Sequence, residues 1–284
     1  MHVTERIGVA HEGDPQRNQQ RADEHLCTDC GEPGARAPSE IDPASTKAHC
    51  IAAVPPHVTP PHLPPQQQAG RIRDGLIKDA SGKVFELPTN IDPPNAIHGF
   101  GFTSSWQDIG PGRALLHLPA PYTSKSGAAT LEQRIEVLDD AIRWSLEYDP
   151  NGCELPAWLG LHPWFARDIG AGSELELQFN PGKMLQRDKD GLPTGELVSP
   201  PKGAWDDAFT QVRGVPSVIW EDVLQIDIES DASWWVVYTE DSEGICVEPQ
   251  SAPPDAANLA ANDANNELQL NLGSSDAHFV EALF

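Results

Sequence analysis

Short segments in which apolar and polar residues alternate, separated by turn residues, most strongly limit how this chain can fold. In AIRWSLEYDPNG, Ile142, Trp144, Leu146 and Tyr148 alternate with polar residues before an Asp-Pro-Asn-Gly turn. The same period recurs in ELELQF (174–179), VLQIDIES (223–230) and ELQLNL (267–272), and WWVVYTE (234–240) has the composition of a buried strand. Successive side chains of a strand point to opposite faces, so this pattern indicates strands with one buried face. Strands separated by Gly- and Pro-containing turns predict an all-β fold, an antiparallel β-sandwich.

The stretch TLEQRIEVLDDAIRW permits two interpretations. Leu131, Ile135 and Leu138 have the spacing of a helix face, whereas Ile135 and Val137 alternate with charged residues. The alternation continues into the segment that follows. We therefore predict two strands joined at Asp139-Asp140 rather than a helix.

The first part of the chain differs from the rest. No Phe, Trp or Tyr precedes Phe85, and VPPHVTPPHLPPQQQ is rich in proline and of low complexity. Such a segment buries too little apolar surface to offset the entropy of ordering it. We predict that residues 1–68 are disordered and that residues 69–284 form the β-sandwich.

The charge of the chain excludes several classes of partner. Of the 284 residues, 43 are acidic and 19 are basic, which gives a formal net charge of −24. Such a chain repels phosphate backbones and anionic lipid, so neither nucleic acid nor a membrane is an expected partner. The sequence has no apolar run long enough to span a membrane and no signal-peptide pattern at its start. These features predict a cytoplasmic location.

The five cysteines do not form a disulfide framework, because their number is odd and they are scattered. The CTDC motif has the spacing of half a zinc or redox site, and His49 or Cys50 could complete it. No second C-x-x-C motif is present. A zinc-dependent interaction module over residues 27–50 therefore rests on this motif alone.

Five motifs stand in a fixed order: AGRIRDG (69–75), NAIHGFGF (95–102), LGLHPWF (159–165), PPKGAWDDAF (200–209) and CVEPQSAPPDA (246–256). Together they resemble the aldose 1-epimerase (galactose mutarotase) family, in its actinobacterial-looking form, over roughly residues 69–273. The resemblance implies a large, twisted antiparallel β-sandwich. It also implies an enzyme that interconverts the α and β anomers of a free, glucose- or galactose-like sugar without a metal or organic cofactor.

The resemblance also assigns roles to residues. It implies that His162 is the general acid, that Glu248 is the general base and that His98 is the second working histidine. It further implies that Asp206 and Arg71 bind the sugar hydroxyls. By residue type alone, His162 could be a core histidine, and Asp207 could exchange places with Asp206.

The chemistry requires these residue types for reasons of its own. Opening a sugar ring requires a base to take the proton of the C1 hydroxyl and an acid to protonate the ring oxygen. A carboxylate and a histidinium can do both at neutral pH. Asp and Arg offer acceptors and donors for hydroxyls, and Trp164 and Phe165 offer an apolar face for the sugar C–H groups.

Two other functions remain open from the sequence. Members of the family normally carry several strands before the GRI motif, where this chain has its aromatic-free segment. A frame shift upstream of about residue 69, or a genuine alternative N-terminus, would produce this sequence, and both predict a sandwich without its first strands. A carbohydrate-binding protein without turnover is therefore one alternative. A hexose-6-phosphate epimerase is the other, and it would use Arg71, Arg73 and Arg167 to bind phosphate.

Overall fold

The computed structural model describes residues 70–79, 81–89, 92–261, 263, 267–268, 270–273 and 278–284. The Pro-rich segment predicted to be disordered, residues 1–68, lies outside the described residues, as does the CTDC motif. In the described part of the chain, no helix has the length and apolar character needed to span a membrane.

The described residues form twenty strands, one short α-helix and one 3-10 turn at Arg73–Gly75. In chain order the elements are β1 (Arg71–Ile72), β2 (Leu76–Lys78), β3 (Val84–Glu86), β4 (Ala96–Ile97), β5 (Gln107–Gly110), β6 (Arg113–His117), β7 (Thr123–Ser124), β8 (Gly127–Ala128), β9 (Thr130–Val137), β10 (Ile142–Asp149), β11 (Trp164–Ala166), β12 (Glu176–Gln178), β13 (Lys183–Arg187), β14 (Pro193–Val198), β15 (Asp206–Thr210), β16 (Ser217–Trp220), β17 (Leu224–Asp227), β18 (Trp234–Tyr238), β19 (Gly244–Gln250), α1 (Ala256–Ala260) and β20 (His278–Leu283).

Two antiparallel sheets dominate the architecture. A five-stranded sheet has the order β20-β10-β9-β6-β5, and a six-stranded sheet has the order β11-β19-β18-β15-β13-β14. A three-stranded sheet, β12-β16-β17, and three two-stranded ladders complete the described strands. All of these pairings are antiparallel.

One hydrophobic core joins the two large sheets. It contains Leu131 and Leu146 from the five-stranded sheet and Phe209, Val237 and Val247 from the six-stranded sheet, all fully buried. Burial of apolar side chains from two facing sheets defines a β-sandwich. The all-β, antiparallel fold expected from the alternating segments is therefore confirmed.

The stretch TLEQRIEVLDDAIRW, whose spacing was also compatible with a helix, forms a β-hairpin. β9 and β10 pair along their whole length, and the Leu138 amide donates to the Ala141 carbonyl across the turn that contains Asp139-Asp140. The prediction of two strands was correct: Leu131, Trp144, Leu146 and Tyr148 are buried in the core, Ile135 packs against it, and Val137 at the end of β9 is exposed.

The ELQLNL segment is not a strand, so that prediction was wrong. Its described residues, 267–268 and 270–272, pair with no neighbouring strand, and the chain forms only an isolated bridge between Gly273 and Ala157. Leu268 and Leu270 instead join a second, smaller hydrophobic cluster. These leucines pack the loop onto the six-stranded sheet.

The face of the six-stranded sheet that receives this loop also carries the polar residues identified in the sequence. Cys246 pairs with Trp164 and Tyr238, and Tyr238 pairs with Asp206. Residues directly opposite one another in antiparallel strands share a face, as do alternate residues of one strand. Asp206, Cys246 and Glu248 therefore project from one face, whereas Ile245 and Val247 of β19 point into the core.

Phe209 provides a test of the shared core. It is fully buried, whereas Phe279 on β20 is 49% exposed. Phe209→Ala leaves a cavity between the sheets, so we expect the free energy of unfolding to fall by about 3–5 kcal/mol. Phe279→Ala should change it by less than about 0.5 kcal/mol. Urea unfolding of both variants measures the difference, and equal losses would contradict this packing.

Candidate active site

His162 and Glu248 are in direct contact on the polar face of the six-stranded sheet. His162 Nε2 lies 3.2 Å from Glu248 Oε1. Glu248 is on β19, and the chain just before His162 runs beside that strand: Gly160 bridges to Gln250, and the Leu161 amide donates to the Pro249 carbonyl. The LGLHPWF and CVEPQ motifs are thus adjacent because their backbones pair.

The contact is the centre of a longer chain of hydrogen bonds. Gln250 Nε2 donates to Glu248 Oε2 over 3.0 Å, and Cys246 Sγ lies 3.4 Å from His162 Nδ1. Cys246, Glu248 and Gln250 are alternate residues of β19, so all three side chains lie in one row. The chain Cys246–His162–Glu248–Gln250 fixes the rotation of the imidazole and of the carboxyl group.

His98 lies beside His162, with 5.2 Å between the ring centroids. The residue has φ 59°, in the left-handed region that non-glycine residues rarely adopt. The Gly70 amide donates to His98 Nδ1 over 3.2 Å, and the His98 amide donates to the Gly70 carbonyl. Because Nδ1 accepts a hydrogen bond, neutral His98 carries its proton on Nε2 and is a donor there.

Burial gives both histidines a preference for the neutral form. It lowers the pKa of His98 well below 6.5, and the neighbouring charges of His162 and Arg71 lower it further. Burial likewise lowers the pKa of His162 to about 4, and a hydrogen bond between the ring and its own backbone partly opposes this shift.

The Glu248 carboxyl group also favours its neutral form. Burial raises its pKa well above the ordinary value, opposed by the Gln250 hydrogen bond and reinforced by the charge of Asp206. Both shifts favour the neutral forms, a protonated carboxyl group beside a neutral imidazole. The sequence alone had suggested a carboxylate and a histidinium, which differs from this form only in the position of one proton.

Arg71 and Asp206 form the outer part of the site. Arg71 Nη1 lies 3.5 Å from Asp206 Oδ2, and Arg71 Nε donates to Asp92 over 2.9 Å. Asp207 is buried and pairs with Arg187 Nε over 2.8 Å, and Arg187 Nη1 also contacts Asp206. Asp206, rather than Asp207, is thus the carboxylate beside Arg71.

The docking of two sequence motifs brings Arg71 to the site. A Cβ atom on Gly70, which has φ +81°, would lie 2.4 Å from Pro254, so the chain at Gly70 approaches the PPDA loop in a way that only glycine permits. The Arg73 amide donates to the buried Asp255 carboxylate, and Asn258 donates to the Leu76 carbonyl.

Exposure decreases stepwise through the site. The side chains of Arg71, Asp206, His162 and Glu248 are 34%, 27%, 14% and 4% exposed, respectively. Trp164 stacks on His162 at an interplanar angle of 17° and meets Tyr238 edge to face. The charged residues Arg71 and Asp206 therefore lie nearest the solvent, and the contact between His162 and Glu248 is buried beneath them.

A metal ion suits these groups less well than hydrogen bonds do. His162, Cys246 and Glu248 are residue types that bind zinc, and one ligand atom of each lies within 4.8 Å of the others. However, the thiol faces Nδ1 and the carboxyl group faces Nε2. One ion bound through a single imidazole nitrogen could not replace both contacts.

Two clefts of the described residues lie away from this cluster. One, of about 490 Å³, is lined by residues between Thr210 and Pro216, by residues between Ile228 and Ser233, and by Trp235. The other, of about 280 Å³, is a groove of ion-paired arginines and glutamates on the five-stranded sheet. Neither cleft combines a buried acid with a histidine.

All five residues predicted from the sequence, Arg71, His98, His162, Asp206 and Glu248, meet at this site. Sequence reasoning missed Asp92, Arg187, Tyr238, Cys246 and Gln250. A signal existed for Cys246 and Gln250, because they alternate with Glu248 in one strand. Arg187 gave no such signal, since it reaches Asp206 only through the pairing of β13 with β15.

Solved structures of similar fold define the class. A galactose mutarotase-like protein from Clostridium acetobutylicum matches with a TM-score of 0.63 and 17% identity, over 78% of each chain. A putative aldose 1-epimerase from Escherichia coli matches at 0.59 and 15%, over 77% of this chain and 81% of its own. Galactose 1-epimerase from Lactobacillus acidophilus matches at 0.58 and 18%, over 76% of each chain. The fold is therefore that of a galactose mutarotase-like β-sandwich.

The family follows from the sequence itself. The model of the aldose 1-epimerase family matches residues 63–269, which include all five motifs. A comparison with curated proteins gives no match. The chain belongs to the aldose 1-epimerase family.

The buried His98 imidazole predicts how stability depends on pH. Below about pH 6.5 the unfolded chain takes up a proton at this residue while the folded protein stays neutral, so the free energy of unfolding falls as pH falls. We expect His98→Gln to reduce this loss between about pH 7 and pH 5. Urea unfolding at each pH measures it, and an unchanged slope would show that His98 does not contribute.

Proposed function

We propose that the protein is an aldose 1-epimerase that interconverts the α and β anomers of a free, glucose- or galactose-like hexose. The observation that carries the proposal is the buried contact between His162 Nε2 and Glu248 Oε1 at 3.2 Å. The ring oxygen and the C1 hydroxyl are bonded to the same carbon, so the groups that exchange protons with them must lie within a few ångströms of each other.

The proposed reaction moves two protons. Glu248, as the carboxylate, takes the proton of the C1 hydroxyl, and the bond between C1 and the ring oxygen breaks. His162, as the imidazolium, protonates the ring oxygen, which leaves an open-chain aldehyde. Rotation about the C1–C2 bond presents the other face of the aldehyde, and ring closure returns both protons in reverse.

The resting pair already contains the proton that this reaction needs. Transfer of the Glu248 proton to His162 converts the neutral pair into the carboxylate and imidazolium without exchange with solvent. A bound sugar that places its two oxygens against the pair would stabilise the charged form. After one turnover the same proton count is restored, so the pair is ready for a further turnover in either direction.

His98 is proposed to act differently from His162. Its Nδ1 accepts from Gly70, and burial lowers its pKa well below 6.5. It therefore offers an Nε2–H donor to the ring oxygen or to a neighbouring hydroxyl rather than a transferable proton. Such a donor stabilises the negative charge that develops on oxygen when the ring opens.

Asp206 and Arg71 are proposed to hold the sugar hydroxyls. Both side chains are partly exposed at the entrance of the site, and their polar atoms can bind adjacent hydroxyls as acceptor and donor.

The cytoplasmic location expected from the sequence stays a prediction.

The charges at the entrance favour a neutral sugar over a hexose 6-phosphate. Arg71 contacts Asp92 and Asp206, and Arg187 contacts Asp206 and Asp207. Each arginine is thus already neutralised by carboxylates, and three carboxylates surround the two arginines. A phosphate group would have to compete with them and would be repelled.

Glu248→Gln is the sharpest test of the proposed chemistry. The amide preserves the shape of the side chain but cannot accept the C1 proton, so we expect the turnover rate to fall by roughly 10²–10⁴-fold. The measurement is polarimetry of freshly dissolved α-D-glucose and α-D-galactose, corrected for spontaneous mutarotation, with folding checked by circular dichroism.

The exposed Glu147→Gln variant is the matched control, because it makes the same chemical change on β10. It should equilibrate the anomers at the wild-type rate. A Glu248→Gln variant as fast as the wild type would remove Glu248 from the mechanism. A folded wild type that binds sugar without accelerating the reaction would favour the carbohydrate-binding alternative.

Competition between sugars tests the preference for a neutral substrate. We expect glucose 6-phosphate to inhibit mutarotation of free galactose at least about tenfold more weakly than free glucose does, because the carboxylates at the entrance repel its phosphate. Inhibition constants from polarimetry give the comparison. Tighter inhibition by the phosphate would instead support the hexose-6-phosphate epimerase.

A further inference from the structure

We propose that Cys246 is a positioning residue that keeps a proton on Nδ1 of His162, so that Nε2 alone exchanges the catalytic proton with Glu248. The inference rests on the proposed function for its consequence in turnover. Its structural content, the position of a proton on His162, can be measured without any substrate.

The first argument is geometric. Cys246 Sγ lies 3.4 Å from Nδ1, and Glu248 Oε1 lies 3.2 Å from Nε2. The two partners therefore engage opposite nitrogens of one ring. The Trp164 ring stacks on the imidazole, with 5.8 Å between the ring centroids, and limits the tilt of the imidazole.

The second argument comes from the strand. Cys246 and Glu248 are alternate residues of β19 and project from the same face. Every residue from Gly244 to Gln250 is buried, and β19 pairs with β11 on one side and β18 on the other, so this spacing is fixed. A single strand thus supplies both partners of His162. His162 itself belongs to the neighbouring LGLHPWF segment.

The third argument concerns the count of protons. If the neutral imidazole carried its proton on Nε2, it could not accept the Glu248 proton there, and it would have to lose a proton at Nδ1 before it could work again. With the proton on Nδ1, Nε2 has a free lone pair in the neutral form and one transferable proton in the charged form. Only this tautomer supports exchange with Glu248 in both directions.

The state of the thiol agrees with an accepting role. Burial raises the pKa of the Cys246 thiol well above its ordinary value. The sulfur is therefore neutral and unreactive, and a neutral thiol sulfur is a weak hydrogen-bond acceptor. Together with the carbonyl of His162 itself, to which the ring also donates, the sulfur can hold the Nδ1–H in place without removing the proton.

Cys153 is the matched control for substitution of a buried cysteine. It is 4% exposed and lies in the turn that follows β10, where its amide donates to the Pro150 carbonyl. The three variants to compare with the wild type are Cys246→Ala, Cys246→Ser and Cys153→Ala. Serine retains an acceptor atom at the same position, whereas alanine does not.

The experiment is long-range ¹H–¹⁵N NMR of the histidine rings, with the His162 signals assigned from their loss in His162→Asn, together with polarimetry of each folded variant. In the wild type at neutral pH we expect a pyrrole-type Nδ1 and a pyridine-type Nε2 on His162. Cys246→Ala should populate the other tautomer and lower kcat about threefold to tenfold with KM within about twofold. Cys246→Ser should keep the wild-type tautomer and recover more than half of the rate that Cys246→Ala loses. Cys153→Ala should match the wild type in both measurements.

A pyridine-type Nδ1 in wild-type His162 would overturn the inference. An unchanged His162 spectrum in Cys246→Ala would overturn it as well. Because both readings come from the resting protein, they decide the role of Cys246 even if the wild type fails to interconvert anomers, a result that would reject the proposed function separately.

Discussion

The contact between His162 and Glu248 is the interaction on which the rest of the site depends. Two ionisable groups buried side by side are unfavourable unless each has a partner. Here each is the partner of the other, and Cys246 and Gln250 occupy the remaining positions at both ends. The result is a buried pair of atoms between which one proton can move, which is what the proposed exchange of anomers requires.

The architecture serves to hold this pair. β19 lies between β11 and β18 in the six-stranded sheet, so its core residues alternate with the residues of the candidate site. The LGLHPWF segment joins β19 through backbone hydrogen bonds, and the AGRI segment reaches the same place by packing against Pro254. Three distant parts of the chain therefore meet at a point fixed by the sheet register.

The sequence predicted the fold because alternation is a direct consequence of strand geometry. It also predicted that Arg71, His98, His162, Asp206 and Glu248 lie close together, through motifs that resemble those of a family; their roles remain predictions. What it could not predict depends on register and burial. Arg187 and Asp92 join the site through pairings that no local pattern records, and ELQLNL alternates without forming a strand because its leucines pack onto the sheet from a loop.

The state of the resting pair tests this account most directly. Burial predicts that Glu248 is protonated and His162 is neutral near pH 7, since the neutral forms are favoured where water is excluded. Isotope-edited infrared difference spectroscopy between the wild type and Glu248→Gln observes that carboxyl group alone. The account predicts the C=O stretching band of a protonated carboxylic acid at neutral pH. The paired bands of an ionised carboxylate at the same pH would contradict it.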